Sequence, residues 1–243
     1  MDDFLLTVRS DSVLCEPLYV GGFEADLARW MERTVRPGMR VMDVGANVGI
    51  HTLRLARKVG PAGHVWSFEP YAPVADLLRH NVRLNGLDNV TVIEQAASDT
   101  DGPAMLHVFP EGADVYNSLG ACRREENLQA VGTVPVLATR LDAFADAAGI
   151  DRVDLIKVDI EGAEERAIRG ARRLIERSPG VAIVCELYQP SATQCGCNVQ
   201  DLVNMLREWG FAMYVVERRG LPRPLTLETF RGTYAVFRRP GGD

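Results

Sequence analysis

The sequence predicts an α/β protein with a doubly wound, mostly parallel sheet. Three observations carry that expectation. Short apolar runs of strand length alternate with segments of helical period through most of the chain. The first run, Val41–Val44, leads directly into a glycine turn, Gly45-Ala-Asn-Val-Gly49, and a helix start. The second, Val65–Phe68, ends on an acid, Glu69. In an α/β protein that arrangement holds the ribose of a nucleoside-containing cofactor.

The elements follow in order. Residues 1–36 form a lead-in. Apolar residues at 23, 27, 30, 31 and 35 give Phe23–Arg36 the period of an amphipathic helix, a candidate lid, and Pro37-Gly38 stops it. Residues 37–243 form the main domain. Its first unit is strand Val41–Val44 and helix His51–Lys58. Strand Val65–Phe68 and helix Pro73–Leu84 follow, with Pro73 tolerated in the first turn. Strand three is Val90–Gln95. Strand four, Val153–Val158, is followed by one helix over Ala163–Glu176. Strand five is Val181–Leu187, and helix Val199–Trp209 starts at a suitable N-cap, Asn198. Phe211–Glu217 and Thr233–Arg238 are strands with only a proline-bearing loop between them, so they pair antiparallel. Residues 100–150 interrupt the alternation as an inserted segment. It contains short strands Ala104–Phe109 and Thr133–Leu137, a polar stretch from Glu111 to Gln129, and a short helix Leu141–Ala148.

Bulk properties narrow the function classes. The 243 residues suit one α/β domain with additions, and 47% apolar residues suffice for its core. Runs such as Val181–Cys185 are far too short to span a membrane. The acidic start, Met1-Asp-Asp3, without a basic and apolar leader, predicts no secretion signal. Five cysteines without a framework predict reduced thiols in a cytoplasm. A net charge of −6 and a pI near 5.3 argue against a nucleic-acid surface. Of the 27 basic residues all but Lys58 and Lys157 are arginine, a bias expected of a GC-rich genome.

The glycine turn distinguishes two cofactor types. A dinucleotide site needs G-x-G-x-x-G, whose second glycine lets backbone approach a pyrophosphate. Here Asn47 stands at the second position and Ile50 at the third, with Gly49 one place early. S-adenosylmethionine has no pyrophosphate, only a ribose and a zwitterionic methionine arm. A turn with Gly45 and Gly49 can pass close to that arm, and Asp43 can accept from its amino group. Glu69 can accept from both ribose hydroxyls, although dinucleotide sites use such an acid as well. Strand three ends in Ala96-Ala-Ser-Asp99, which faces an adenine in this arrangement. Ala97 leaves room and Ser98 or Asp99 stands near its amino group, but Asp99 equally suits a plain turn. The element order and antiparallel last strand then specify a class I methyltransferase (Rossmann-like) sheet of seven strands.

Strand four runs Val153-Asp-Leu-Ile-Lys-Val-Asp-Ile-Glu-Gly-Ala-Glu164. Together with Val41–Gly49 and Phe68-Glu-Pro70, it closely resembles the FkbM family of S-adenosylmethionine-dependent methyltransferases. Asn117-Ser-Leu119 and Thr139-Arg-Leu-Asp142 are similar to that family's middle region. The resemblance covers about residues 38–190. It implies O-methylation of a hydroxyl on a small molecule, sugar or secondary metabolite. It also implies a cofactor shell of Asp43, Gly45, Asn47, Gly49, Glu69, Ser98 and Asp159, with Ala46, Pro70, Ala97 and Asp99 beside them. It names no proton acceptor.

The candidates for that role are acids at the strand ends. Asp159 is expected as the central carboxylate, with Glu161 beside it so that the two share a proton. Glu186, at the end of strand five, is the third candidate. Each has a structural alternative: backbone capping for Asp159, a favourable helix N-terminus for Glu161, and plain hydrogen bonding for Glu186. His51, Asn117, Ser118 and Tyr188 are the candidate acceptor contacts. His51 also suits an ordinary helix start, and Asn117 and Ser118 suit a surface turn or a clamp over the cleft. No metal is expected: Asp159 lacks partners at fixed spacing, and Cys195-Gly-Cys197 lacks a second pair. The partner is then a small-molecule or sugar hydroxyl acceptor, with no nucleic acid and no membrane span; a homodimer through the lead-in helix or terminal strands is left open. Competing readings are a methyltransferase of RNA or protein, a nucleotide-dependent oxidoreductase, and a non-catalytic cofactor-binding module. The N-P-P-Y type of sequence expected for exocyclic amines is absent after strand four.

Overall fold

A computed structural model describes residues 4–120, 123–125, 128–216 and 222–241. The chain begins with two helices, α1 (Cys15–Tyr19) and α2 (Ala25–Thr34). Strand β1 (Arg40–Val44), α3 (Ile50–Val59), β2 (His64–Phe68), α4 (Ala72–Leu84) and β3 (Val90–Ile93) then alternate. The inserted segment contributes β4 (Ala96–Ala97), β5 (Gly102–Val108), β6 (Arg123–Glu125), β7 (Leu128–Gln129), β8 (Gly132–Thr139) and α5 (Leu141–Ala147). Alternation resumes with β9 (Leu155–Val158), α6 (Glu164–Arg169), α7 (Arg172–Glu176) and β10 (Ala182–Glu186). Helices α8 (Gln189–Gln194) and α9 (Val199–Glu208) lead to β11 (Ala212–Val216), β12 (Pro222–Pro224) and β13 (Tyr234–Arg238).

The main sheet has the order β12-β11-β13-β10-β9-β1-β2-β3. Strands β1, β2, β3, β9 and β10 run parallel, and β13 inserts antiparallel between β10 and β11. This is the class I methyltransferase sheet that the sequence predicts, with a strand more than the expected seven. The addition is β12, whose prolines suit only a sheet edge. Strand β1 lies between β9 and β2, so successive connections leave it in opposite directions and open a crevice beyond its C-terminal end.

Burial explains why the parallel strands read as continuous apolar runs. Every residue of β9 and β10 is buried, because helices cover both faces. On one face Leu27, Trp30 and Met31 of α2 join Leu55, Ala56 and Val59 of α3 against Val41, Val65 and Val184. On the other, α6, α7 and α9 pack Ile168, Leu174 and Leu206 against Ile156 and Ile183. Asn198 accepts a hydrogen bond from Gln200 N at 2.8 Å and caps α9. No helix among the described residues is long and apolar enough to cross a membrane.

Several elements depart from the sequence reading, among them the unexpected helix α1 in the lead-in. Strand β3 stops at Ile93, and Ala96-Ala97 pairs instead with Ala138-Thr139 of the insert. Helix α8 is additional. The helix expected over Ala163–Glu176 is divided into α6 and α7 at Gly170-Ala171. There the backbone presses against neighbouring chain: Gly170 O accepts from Asp142 N at 2.9 Å, and a Cβ on Gly170 would lie 2.0 Å from Ser98 O. Gly180, by contrast, has nothing within 4 Å of an added Cβ. Urea unfolding of Gly170→Ala is therefore expected to show a loss of about 1–3 kcal/mol, with Gly180→Ala within about 0.5 kcal/mol of the parent. Equal effects at the two positions would remove the close approach as the cause of the break.

Candidate active site

The crevice beyond β1 widens into a cavity of about 370 Å³. Its floor is formed by the turn after β1, the ends of β2 and β10, and the loop after β9. Its roof comes from the lead-in segment and residues 114–119 of the insert.

The turn is held close to that loop. Gly45 has φ 79°, and a Cβ there would sit 1.8 Å from Asp159 O, so only glycine fits. Gly45 N and Ala46 N both donate to Phe68 O, at 3.0 and 2.9 Å, binding the turn to the end of β2. Asn47 is also left-handed, and its buried Oδ1 has no hydrogen-bond partner. Gly49 serves a different contact, since a Cβ there would lie 2.5 Å from Leu78 of α4.

Glu69 is fixed by backbone alone. One carboxyl oxygen accepts from Asn47 N at 3.1 Å and the other from Tyr71 N at 2.9 Å. Burial pushes its carboxyl up to about 7, against the opposite pull of those two donors. Each oxygen keeps further acceptor capacity, and the residue lines the cavity with Pro70 and Ala97.

Beneath the turn lies Lys157, whose side chain is 2% exposed. The register places it beside Asp43, and its ammonium stands 3.4 Å from Asp43 and from Asp159. Burial alone would lower its pKa, but Asp159, Asp43 and Glu24 raise it above the ordinary value, so it remains charged. Asp43 also accepts from Thr52 Oγ1 at 2.7 Å.

The loop after β9 projects acids. Carboxyl oxygens of Asp159, Glu161 and Glu186 lie within 4.8 Å of one another. Carboxylates this close need a proton or a positive charge among them. They could surround a small cation, but acidic groupings are common without one and no metal is assigned to them. Glu161 has φ 57°, an unusual backbone for a residue with a side chain. It is held there because Glu164 accepts from Ile160 N and Gly162 N at 3.0 and 3.1 Å, and Ser118 Oγ donates to Glu161 O at 2.7 Å.

The roof meets the floor through a chain of polar contacts. His51 Nε2 stands 2.5 Å from Glu24 Oε2. Glu24 Oε1 and Asp159 Oδ2 flank the Tyr234 hydroxyl at 2.7 and 2.8 Å. Burial works against the charge on Glu24, yet His51, Lys157 and Tyr234 hold its carboxyl down at about 2.

Of the residues expected at the site, Gly45, Ala46, Asn47, Glu69, Pro70, Ala97, His51, Asn117, Ser118, Asp159, Glu161 and Glu186 line the cavity. Five do not. Asp43 lies beneath the floor and Gly49 behind the turn. Ser98 N bonds to Thr139 O, and Asp99 pairs with Arg166 at 2.9 Å, because the end of β3 has joined the insert. Tyr188 is 38% exposed at the start of α8. Ser118, offered as an acceptor contact, is buried as a tie between insert and loop, whereas Asn117 keeps a buried Nδ2 without a partner. Sequence reasoning missed Glu24, Lys157 and Tyr234. Only Lys157 carried a signal, a charged residue inside the apolar run Leu155-Ile-Lys-Val158.

This sheet order, with the crevice beyond its central strand, is the class I methyltransferase fold. The Methyltransferase FkbM domain matches residues 43–213, and the chain belongs to that family. It is 27% identical to the 2-O-methyltransferase NoeI of Sinorhizobium fredii, over 59% of this chain and 61% of that protein. It is 28% identical to Methyltransferase sdnD of Sordaria araneosa, over 54% and 59% of the two chains. The chain thus spans about six tenths of the length of these curated relatives. The crystal structure of Methyltransferase FkbM from Methylobacillus flagellatus superposes with a TM-score of 0.54 at 18% identity, covering 95% of this chain and 55% of that one.

Removing the buried cation should be costly. Lys157→Met leaves Asp43 and Asp159 without their shared partner, and a loss of about 3–5 kcal/mol is expected in urea unfolding. A loss below about 1 kcal/mol would show that the ammonium is not what holds the floor together.

Proposed function

We propose that this chain is an S-adenosylmethionine-dependent O-methyltransferase acting on a hydroxyl of a small molecule, sugar or secondary metabolite. The reading rests on family membership and on one observation above the rest: Glu69, buried, backbone-held and with spare acceptor capacity at the strand end where a ribose would lie. The site fits the cofactor in other respects. The orphaned Asn47 Oδ1 is available to a donor, Gly45 brings backbone close, and Ala97 leaves space for a flat base. Asp159, Glu161 and Glu186 supply negative charge for a cationic donor.

When bound, S-adenosylmethionine supplies a methyl group on a positively charged sulfur, open to attack by an oxygen lone pair. Glu69 would hold the sugar end of the donor, and the turn after β1 would hold its amino-acid arm. The roof residues Val115, Tyr116 and Asn117 close over the acceptor side and exclude water. Asp159, at the cavity wall and set by Lys157 and Tyr234, takes the proton that the acceptor hydroxyl loses. The relative NoeI is a 2-O-methyltransferase, which supports a hydroxyl as the acceptor here.

Calorimetry with S-adenosylhomocysteine tests the donor site. Ribose hydroxyls donate to ionised Glu69, so binding favours that form. Affinity should rise as pH increases through about 7, where the free carboxyl ionises, and fall below it. Glu69→Gln should weaken binding by about tenfold to a hundredfold and flatten the pH dependence. Undiminished affinity in that variant, or binding of NAD in place of S-adenosylhomocysteine, would refute the assignment. For the acceptor, labelled methyl transfer to a panel of neutral methyl hexopyranosides and simple polyols should give an O-methyl product.

A further inference from the structure

Two residues that complete the site lie outside the segment matched by the family, residues 43–213. Glu24 comes from the lead-in and Tyr234 from β13, opposite Glu186 of β10. Glu24, Thr233 and Tyr234 line the cavity and also a second hollow, shared with Gly22, Asp26, Arg29 and Arg33. That hollow reaches solvent, because its Asp26–Arg29 pair is nearly half exposed. The side chains of Glu24 and Tyr234 are thus a partition between the inside and the outside.

We propose that this partition is a proton exit, in which Tyr234 passes the proton of the acceptor hydroxyl from Asp159 to Glu24 and so to the outer hollow. The proposal rests on the hydroxyl-acceptor reading above. Its physical core is proton counting. The Tyr234 oxygen is 2.8 Å from Asp159 Oδ2 and 2.7 Å from Glu24 Oε1. A tyrosine hydroxyl has one proton to donate and an ionised carboxylate has none. Both contacts can be hydrogen bonds only when a further proton sits on one of the two acids. A proton taken up by Asp159 supplies it.

Asp159 then donates to the tyrosine oxygen while the tyrosine hydroxyl donates to Glu24. Shifting both protons by one hydrogen bond regenerates the Asp159 carboxylate and leaves the proton on Glu24. The tyrosine ends as it began. In the transfer as a whole, an oxygen lone pair forms the carbon–oxygen bond and the carbon–sulfur pair stays with sulfur. The hydroxyl proton goes to Asp159, then Glu24, then solvent. No oxidant or further reactant is required.

The surroundings suit each role. Burial, with Asp159, Glu24 and Glu186 nearby, keeps the Tyr234 hydroxyl protonated, so it can only give and take in one motion. His51 and Lys157 hold Glu24 ionised, ready to receive and slow to retain. Lys157 and Asp43 lie below Asp159, Glu161 and Glu186 stand near it in the cavity, and Asp26, Arg29 and Arg33 share the outer hollow with Glu24. His51, which stands against Glu24, offers a reporter at the outer end.

The first test needs no acceptor. His51 is one of four histidines, and its ring resonance is assigned by its loss in His51→Gln. Asp159→Asn should displace the His51 ring resonance at fixed pH, because the change at Asp159 reaches Glu24 through the Tyr234 hydroxyl. In a Tyr234→Phe background that displacement should fall to about a third or less. An equal displacement with and without Tyr234, or none in either, overturns the relay. The second test uses whichever glycoside or polyol the acceptor panel shows to be methylated. Tyr234→Phe and Glu24→Gln should each lower kcat by about tenfold to a hundredfold. The acceptor KM and the affinity for S-adenosylhomocysteine should stay within about twofold. Wild-type kcat in both variants, or a parallel loss of S-adenosylhomocysteine affinity, also overturns it. A panel without product defeats the hydroxyl reading, and the resonance experiment still decides the relay.

Discussion

A charged lysine inside a parallel sheet is the constraint on which the rest of the site depends. Burying an ammonium is expensive unless opposite charge comes with it. Lys157 meets that demand with Asp43 from the neighbouring strand and Asp159 from the end of its own. The pairing register of β1 and β9 brings Asp43 alongside. The loop after β9 must then leave the sheet where Asp159 can reach back, which brings Asp159 O against Gly45 and excludes a side chain there. One ion-pair group thus joins the floor of the cavity to its acidic wall.

The legible parts of the sequence were those in which chemistry and local backbone coincide. Gly45 needs a left-handed backbone and a close approach, and both demands fall on a residue in a recognisable turn. Glu69 follows a strand directly and is held by the backbone of residues 47 and 71, so its place at the cavity could be read from spacing along the chain. Glu161 follows one strand with a plain apolar run and Glu186 ends another. The antiparallel pair at the end of the sheet could be read from the missing helix between its strands.

The illegible parts depend on contacts distant in sequence. Glu24 and Tyr234 are 210 residues apart and meet through a single hydrogen bond, which no periodicity encodes. Asp99 and Ser98 followed the rule for a strand end, but β4 was recruited by the insert, which turned both toward other partners. Ser118 shows the same limit from the opposite direction. Its neighbourhood looks like a polar surface turn, yet its hydroxyl is buried against a carbonyl 43 residues further on. Gly170 breaks a helix that local propensity would continue, because its space is taken by the backbone of another element.

Charge distribution links these features. The chain has 25 arginines, and none is among the described residues that line the cavity. Six acids do, and of the cations only Lys157 is present, already shared between Asp43 and Asp159. Such a wall is costly when the cavity holds nothing positive, since neighbouring carboxylates repel and lose solvation together. It becomes favourable around a cationic methyl donor. On the hydroxyl-acceptor reading proposed above, loss of that positive charge on methyl transfer would coincide with release of a proton from the acceptor. On that reading the acids around the donor would be most basic at the moment when a proton must be taken away, so donor binding and proton removal would draw on a single arrangement of charge.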